Sequence, residues 1–455
     1  MMSNATKMSA RDRILNLVDA NSFVEIGALV TKRNTDFNMQ EKSVPGDGVI
    51  TGYGLIDGSI VYVYSQDAAA MGGSLGEMHA GKICRMYDMA IKAGAPVIGL
   101  IDCAGIRLQE AVDALAGFGN IYKKQAEASG LIPQISAVLG NCGGGVSVVS
   151  ALSDFTFMEK SAKLFVNSPN VIAGNYVEKC DTSSSDFQSE SNTVDFVCEG
   201  EAELLAAVRD FVCMLPSNCE DMGVCECDDD LNRLVPEFAA DIAEPAKALA
   251  DISDGNKFVE VKAGYAADMV TGFISLNGIT VGAIANSDTA LTTAGCAKAE
   301  ELVCFCEAFG IPVLTLTNVT GYAAAMDEER TIAAAAAKLT AAFACAEVPK
   351  VNLITGKAYG SAYVTMNSKH IGADMVFALD TAEIGMMDAK AAAQIMYADE
   401  INNASDKSAF IDEKAAEYAK LQSSPETAAS RGYVDAVITA ESVRKQLVYA
   451  FEMLY

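Results

Sequence analysis

Two short stretches of small residues carry the clearest chemical signal in the sequence. Gly143–Gly145 follows an apolar run and precedes the small-residue segment Val146–Leu152, and Gly360–Ala362 has the same setting after Val351–Ile354. Where a buried strand turns into a helix through small residues, backbone N–H groups at the helix N-terminus can hold a negatively charged oxygen. Tight strand–helix packing selects the same residue types. Because the feature recurs in both halves, we interpret it as two oxyanion holes, which suit a reaction with two carbonyl centres.

Side-chain nucleophilic catalysis fits the sequence poorly. Cys142 and Ser147 are potential nucleophiles, but such a group needs an adjacent general base. The chain contains only two histidines, His79 and His370, and neither half carries a histidine near its glycine-rich strand end. A hydrolase with a catalytic triad is therefore disfavoured.

Metal binding is also disfavoured. The cysteines include a C-x5-C-x-C cluster at Cys219, Cys225 and Cys227 and a C-x-C pair at Cys304 and Cys306. Neither spacing matches the paired C-x2-C ligands of a zinc ribbon. We therefore expect buried or linker thiols and no metal site.

The chain contains an internal repeat. The segment Ile50–Asp67 matches Val270–Asp288 in its Thr-Gly-aromatic start and in its later glycine and valine. Further matches keep the same order: Gly105 with Gly321, Pro133 with Pro349, Gly140 with Gly356, Gly144 with Gly360, and Asp154 with Asp374. The offset stays between 216 and 220 residues throughout. Such order predicts a duplicated domain.

Predicted strands and helices, which position these residues, alternate along the chain. Val97–Ile101 and Leu131–Leu139 indicate buried strands separated by helical segments, and Asp57-Gly58 indicates a hairpin turn. The alternation predicts an α/β fold with a mainly parallel sheet and helical cover. A polar segment at Leu215–Pro236 indicates the linker, which gives domains of residues 1–222 and 223–455.

Composition narrows the class of protein. The 455 residues are 51% hydrophobic, with a net charge of −27, so a nucleic-acid partner is not expected. No apolar run approaches the ~20 residues of a membrane helix. The N-terminus indicates an amphipathic helix without the apolar core of a signal peptide. Thirteen cysteines then predict free thiols in a reducing compartment, so we expect a cytoplasmic protein.

Six segments resemble the carboxyltransferase (beta-type) subunit of biotin-dependent acyl-CoA carboxylases, in that family's order over most of the chain. They are Gly46–Gly54, Gly72–Ile83, Ala95–Leu100, Ile132–Ser136, Phe309–Val313 and Lys357–Tyr363. The resemblance implies two tandem crotonase-like (ClpP-like) β-β-α superhelix domains, usually assembled as a hexamer. It also implies that acyl-CoA binds mainly to the N-terminal domain and carboxybiotin to the C-terminal domain of a neighbouring subunit.

The resemblance implies a reaction without a main side-chain base. Carboxybiotin releases CO₂, its ureido group takes the α-proton of the thioester, and the enolate attacks CO₂. By correspondence, Gly144 and Gly145 hold the thioester oxygen, and Ser361 and Ala362 hold the ureido oxygen. The residues implied at the acyl-CoA site are Ala104, Gly105, Ile106, Arg107 and Gly143. Those implied at the biotin site are Gly321, Tyr322, Tyr359, Gly360, Tyr363 and Val364.

Several positions depart from the family pattern. Residues 103–107 replace Ser-Gly-Gly-Ala-Arg with bulkier side chains, and Ser361 replaces a glycine between Gly360 and Ala362. Thr320-Gly321-Tyr322 stands for Pro-Gly-Phe, and an alanine run follows at 333–337. The run favours a helix, so the fold is expected to survive.

The resemblance also implies partners. The sequence has no Met-Lys-Met biotin attachment site and no length for a biotin carboxylase domain. A separate biotin carboxyl carrier protein and a biotin carboxylase subunit are therefore expected, with acetyl-CoA or propionyl-CoA as the acyl substrate. Two alternatives stay open: a subunit of a sodium-pumping methylmalonyl- or glutaconyl-CoA decarboxylase, and a non-catalytic scaffold subunit of a carboxylase complex.

Overall fold

The two halves of the chain fold into separate units, Met1–Gly223 and Val224–Tyr455. The structure is a computed structural model that describes residues 7–33, 37, 44–223 and 227–455. Strands of the first unit are β1 (Val24–Ile26), β2 (Val49–Ile56), β3 (Ser59–Gln66), β4 (Val97–Cys103), β5 (Gln134–Gly143), β6 (Phe155–Glu159), β7 (Lys163–Phe165) and β8 (Phe196–Cys198). Its helices are α1 (Ala10–Leu17), α2 (Glu77–Ala93), α3 (Ala111–Ala128), α4 (Gly145–Ala151), α5 (Asn175–Glu178), α6 (Ser185–Ser189) and α7 (Glu201–Val212).

The second unit repeats this plan and adds helices near its C-terminal end. Its helices are α8 (Phe238–Asp241), α9 (Pro245–Ile252), α10 (Thr293–Ala308), α11 (Met326–Glu329), α12 (Ile332–Cys345), α13 (Gly360–Thr365), α14 (Ala389–Met396), α15 (Ala398–Asn403), α16 (Lys407–Tyr418), α17 (Pro425–Ser430) and α18 (Val443–Leu454). Its strands are β9 (Val259–Val261), β10 (Met269–Leu276), β11 (Ile279–Asn286), β12 (Ala290–Leu291), β13 (Val313–Val319), β14 (Gly321–Tyr322), β15 (Lys350–Tyr359), β16 (Met375–Leu379), β17 (Glu383–Gly385) and β18 (Ala436–Ile438).

Each unit is built on one mixed sheet with the same topology. In the first unit the order is β1-β2-β3-β4-β5-β6-β8, and β7 also pairs with β5. The β1–β2 and β2–β3 pairs are antiparallel, and the pairs from β3–β4 onward are parallel. The second unit has the matching order β9-β10-β11-β13-β15-β16-β18, with β17 on β15 and a separate β12-β14 pair. The predicted α/β class with mainly parallel sheets is confirmed.

Local sequence explains the elements that lead to the site. Asp57 and Gly58 lie between β2 and β3, where the hairpin was predicted, and both have positive φ. Helix α2 ends at Ala93 and is capped by Gly94, whose left-handed conformation suits glycine. Its buried face recurs at helical spacing through Ala80, Ile83, Met86, Tyr87 and Ala90. Burial of each large apolar side chain contributes about 1.5–3 kcal/mol, which fixes α2 against the sheet.

Two strands extend further than the apolar pattern predicted. The predicted strands ended at Leu139 and Ile354, whereas β5 continues to Gly143 and β15 to Tyr359. A short parallel strand supports each extension, β7 along β5 and β17 along β15. The extensions consist largely of polar and glycine residues and lack the apolar pattern that predicts a strand. They are strands because each pairs with a segment later in the chain.

Candidate active site

The sharp turn from β5 into α4 is made by Gly144. Its φ of 62° and ψ of −128° lie in a region that side-chain-bearing residues rarely adopt. The N–H of Gly144 donates to the carbonyl oxygen of Phe165 at 2.9 Å, and its own carbonyl accepts from the N–H and hydroxyl of Ser147. Gly144 therefore shapes the turn, and its N–H is already used by β7.

The next two N–H groups have no such partner inside the helix. Gly145 and Val146 lie in the first turn of α4, where a helix offers no carbonyl to accept their N–H groups. The Tyr122 hydroxyl donates to the Gly145 carbonyl at 2.7 Å and fixes this turn from α3. A Cβ on residue 145 would lie 2.9 Å from that hydroxyl oxygen, so a side chain there would displace Tyr122.

The second unit repeats this turn at an offset of 216 residues. Tyr359 pairs with Gly385 as Gly143 pairs with Phe165, so Gly360 is the equivalent of Gly144. Gly360 also has a φ of 62°. Ser361 and Ala362 therefore correspond to Gly145 and Val146, one residue later than the pair Gly144 and Gly145 named from the sequence.

A second loop of the first unit lies against the β5 extension. Gly105, at a φ of 112°, lies beside β5, since a Cβ there would be in van der Waals contact with the Gly143 carbonyl oxygen at 3.5 Å. Ala104 is exposed, and its N–H donates to the Gly72 carbonyl. Ile106 is half-buried and forms a bridge with Leu75. The structure thus brings residues 104–106 and Gly143 to the same end of the sheet.

Arg107 follows these residues, but its side chain is enclosed by the protein. Its side chain is fully buried, with ion pairs to Asp47 and to Glu110 at 2.8 Å. The guanidinium also donates to the Ser74 carbonyl at 2.8 Å. Burial raises the pKa of Asp47, an effect that Arg107 partly offsets. Arg107 therefore neutralises buried carboxylates, and its side chain is not free to bind a nucleotide phosphate.

A cavity of about 530 Å³ opens beside the turn of the second unit. Its walls include Gly360, Ser361, Tyr363, Val364, Met386 and Arg431. The Tyr363 side chain is buried, and its hydroxyl has no hydrogen-bond partner within the described residues. Burial raises the pKa of Tyr363 to about 12. This neutral hydroxyl is a donor whose partner the described part of the chain does not supply.

Three of the predicted biotin-site residues lie away from that wall. The Tyr359 hydroxyl donates to Glu383, and burial is the main reason that the pKa of Tyr359 is raised. Tyr322 lies on β14 next to Gly321, and its hydroxyl is 3.1 Å from the Thr365 hydroxyl at the end of α13. These residues support the strand and helix around the turn.

Tyr122 and Met386 were not identified from the sequence. Tyr122 lies on α3, where its spacing is that of an ordinary half-buried position, and Met386 follows β17 as a single exposed apolar residue. Neither belongs to a recognisable motif. Their proximity to the two turns depends on contacts between segments far apart in the chain.

Among the residues that the structure describes, no group of three or more His, Cys, Asp or Glu side chains is arranged to hold a metal ion. Cys225 of the predicted cluster lies outside the described residues. Within the same part of the chain, none of the helices is long and apolar enough to cross a membrane.

Comparison with known proteins gives the family. The carboxyl transferase domain matches residues 3–455. The chain is 40% identical to the methylmalonyl-CoA decarboxylase subunit alpha of Propionigenium modestum, over 98% of this chain and 90% of the relative. It is also 40% identical to the propionyl-CoA carboxylase beta chain of Roseobacter denitrificans, over 98% and 91%.

A solved structure agrees with these sequence relatives. The transcarboxylase 12S hexamer with hydrolysed methylmalonyl-coenzyme A superposes with a TM-score of 0.93 at 35% identity, over 98% of this chain and 90% of that chain. The predicted pair of crotonase-like domains is confirmed by this match. The chain therefore belongs to the carboxyl transferase family and is the carboxyltransferase of a biotin-dependent acyl-CoA carboxylase or decarboxylase.

Proposed function

We propose that this protein transfers a carboxyl group between carboxybiotin, carried on a separate protein, and a short-chain acyl-CoA such as propionyl-CoA or acetyl-CoA. The observation that supports it is the repeated turn: Gly144 and Gly360 place two helix N-termini at equivalent points of the two units. Two sets of fixed N–H dipoles match the two carbonyl-type oxygens of such a transfer.

In the first unit, we assign the thioester oxygen to the N–H groups of Gly145 and Val146. Gly144 stays in the site as the residue that makes the turn, because its own N–H is bonded to Phe165. Ala104, Gly105, Ile106 and Gly143 lie around the same strand ends and are proposed to contact the acyl-CoA. Removal of one fixed donor to a developing oxyanion typically costs about 3–4 kcal/mol of transition-state stabilisation in enzymes with an oxyanion hole.

In the second unit, we assign biotin to the cavity beside Gly360. Its volume of about 530 Å³ is in the range of small-molecule sites, about 300–1,000 Å³. Ser361 and Ala362 would offer their N–H groups to the ureido oxygen, and the unpartnered Tyr363 hydroxyl offers one more donor. When bound, carboxybiotin supplies the carboxyl group. Val364 contributes an apolar wall for the rings, while Gly321, Tyr322 and Tyr359 hold the surrounding elements.

The proposed setting is an assembly with other proteins. Biotin carried elsewhere requires a biotin carboxyl carrier protein, and the carboxylase direction also requires a biotin carboxylase subunit. The relative transcarboxylase 12S forms a hexamer. A homohexamer is therefore the proposed state of this chain. The alternative is the decarboxylation direction, which is favoured by the relative from Propionigenium modestum at the same 40% identity as the carboxylase beta chain.

The direct test is biotin-dependent decarboxylation. The purified protein would be mixed with free biotin and either malonyl-CoA or methylmalonyl-CoA, and release of CO₂ would be followed. Turnover that requires biotin is expected, and the preferred thioester identifies the acyl group. The opposite result, no turnover with either thioester and no CoA binding by calorimetry, would favour a non-catalytic scaffold subunit.

A further inference from the structure

The two units share a strand irregularity just before the residues of each candidate oxyanion site. In the first unit, β4 and β5 pair regularly up to Ile101↔Val138, and the next pair is Cys103↔Cys142. In the second unit, Thr317↔Ile354 is followed by Val319↔Ala358. In both places the longer strand carries two extra residues. Regular ladder hydrogen bonds are therefore interrupted at the same point of both sheets.

One side chain closes each interruption. The Asp102 Oδ1 atom accepts from the Asn141 N–H at 3.2 Å, and the Asp102 N–H donates to the Gln66 Oε1 atom at 3.3 Å. The second unit repeats both bonds: the Asn318 Oδ1 atom accepts from the Lys357 N–H at 2.9 Å, and the Asn318 N–H donates to the Asn286 side chain at 3.2 Å. Asp102 and Asn318 thus bridge three neighbouring strands.

A glycine makes room for each bridge. A Cβ on Gly140 would lie 2.1 Å from the Asp102 Oδ1 atom, and one on Gly356 would lie 2.7 Å from the Asn318 Oδ1 atom. Real side chains do not approach so closely. The two glycines, whose repetition was visible in the sequence, therefore serve these bridges.

The bridges differ in charge. Asp102 is 2% exposed and forms ion pairs with Arg13 at 3.2 Å and with Lys7 at 2.7 Å. Arg13 is itself buried and bonds to Glu201 at 2.6 Å, which links the bridge to α1 and α7. Asn318 is half-buried and neutral, so it needs no counter-ion. The charge of the first bridge is therefore paired with residues of the N-terminal segment, whereas the second bridge is neutral.

We propose that Asp102 and Asn318 are positioning residues, each setting the distance between the two loops that form the substrate site of its own unit. Asp102 directly precedes residues 103–105, and its partner Asn141 precedes the turn at Gly144. In the second unit, Asn318 precedes Gly321, and its partner Lys357 precedes the turn at Gly360. This inference rests on the proposed function, so that Asp102 governs the acyl-CoA site and Asn318 the biotin site.

Kinetics with two substrates test the assignment. Asp102→Leu removes the acceptor at similar size, and we expect kcat/KM for methylmalonyl-CoA to fall about tenfold or more while KM for free biotin stays unchanged. Asn318→Leu should give the reverse pattern. Asp102→Asn keeps the acceptor that the second unit already uses but loses the ion pair with Arg13, and should recover part of the loss. Equal losses for both substrates in either Leu variant, or no loss, would overturn the proposal.

A measurement on the wild-type protein covers the case in which a Leu variant does not fold. Amide hydrogen exchange, read at single residues by mass spectrometry, should show protected N–H groups at Asn141 and Lys357 although both residues are exposed. Exchange at the rate of an unstructured peptide would overturn the bridges. This measurement does not depend on enzyme turnover. Absence of biotin-dependent decarboxylation would therefore refute the proposed function, while the exchange rates would still show whether the two bridges exist.

Discussion

The N–H of Gly144 donates to the carbonyl oxygen of Phe165, with 2.9 Å between nitrogen and oxygen. This bond joins the turn after β5 to the end of β7, and it removes Gly144 from the set of free oxyanion donors. The donors left at this helix start, on Gly145 and Val146, are then the equivalents of those on Ser361 and Ala362. The repeat and the hydrogen bond lead to the same pair of residues.

The conformation of Gly144 predicts a cost for any side chain there. Its φ of 62° and ψ of −128° disfavour alanine, although a Cβ would meet nothing within 4 Å. Gly144→Ala should lower the free energy of unfolding by about 1–3 kcal/mol and reduce kcat. The control is Gly119→Ala in the exposed interior of α3, expected to stabilise by about 0.5–1 kcal/mol. Chemical denaturation measures both, and equal stability of the two variants would contradict the assigned role.

Arg107 is predicted to act through stability. Arg107→Met leaves the buried carboxylates of Asp47 and Glu110 without their cation, so the free energy of unfolding should fall by about 3–5 kcal/mol. The matched control is Arg33→Met. The pairs of Arg33 with Glu77 and Asp113 are about half exposed, so this variant should change the free energy of unfolding little. Calorimetric unfolding compares the two. A folded Arg107→Met protein with normal stability and lost CoA binding would restore Arg107 to the substrate site.

Removal of the Tyr363 hydroxyl is predicted to weaken biotin binding without lowering the stability of the fold. Because it is buried without a partner in the described structure, Tyr363→Phe should leave the free energy of unfolding unchanged or raise it by up to about 1–3 kcal/mol. If the hydroxyl donates to biotin, KM for free biotin should rise about threefold to tenfold. Tyr359→Phe is the comparison, since it loses a bond to Glu383 and should be less stable than wild type. A Tyr363→Phe protein with unchanged KM would remove the hydroxyl from the biotin site.

His79 is predicted to make stability depend on pH. Its Nδ1 atom lies 3.0 Å from the Asp47 carbonyl oxygen and its Nε2 atom 3.2 Å from the Gln66 amide nitrogen. A carbonyl can only accept, so the neutral ring with its proton on Nδ1 satisfies both contacts. Burial, with Arg107 and Lys82 nearby, lowers the pKa of His79 to about 3.

The sign follows from proton binding. Between about pH 6.5 and 3 the unfolded chain binds a proton at His79 that the folded protein does not, so stability falls as the pH is lowered through that window. The slope is about 1.4 kcal/mol per pH unit. Asp154 acts in the opposite sense, because burial raises the pKa of Asp154 to about 7. The difference between wild type and His79→Gln isolates the histidine, and an equal pH dependence of unfolding in both proteins would contradict the neutral buried ring.

The sequence by itself determined the repeat, the α/β class, the hairpin at Asp57-Gly58 and the two turns at Gly144 and Gly360. These depend on residues close together in the chain, where apolar period and glycine placement report backbone conformation directly. The family resemblance came from the same short motifs, and it was confirmed. The sequence showed Gly140 and Gly356 as a repeated pair, but it did not show that they leave room for the Asp102 and Asn318 side chains.

Only the tertiary structure decided which N–H groups and side chains are free. Gly144 is bonded to Phe165, Arg107 is enclosed by Asp47 and Glu110, and the buried Tyr363 hydroxyl has no partner among the described residues. Each of these facts depends on a contact with a segment that is distant in the chain. Local sequence patterns do not report such contacts. Residue types gave the chemistry that was available, whereas long-range pairing and burial selected the groups that can perform it.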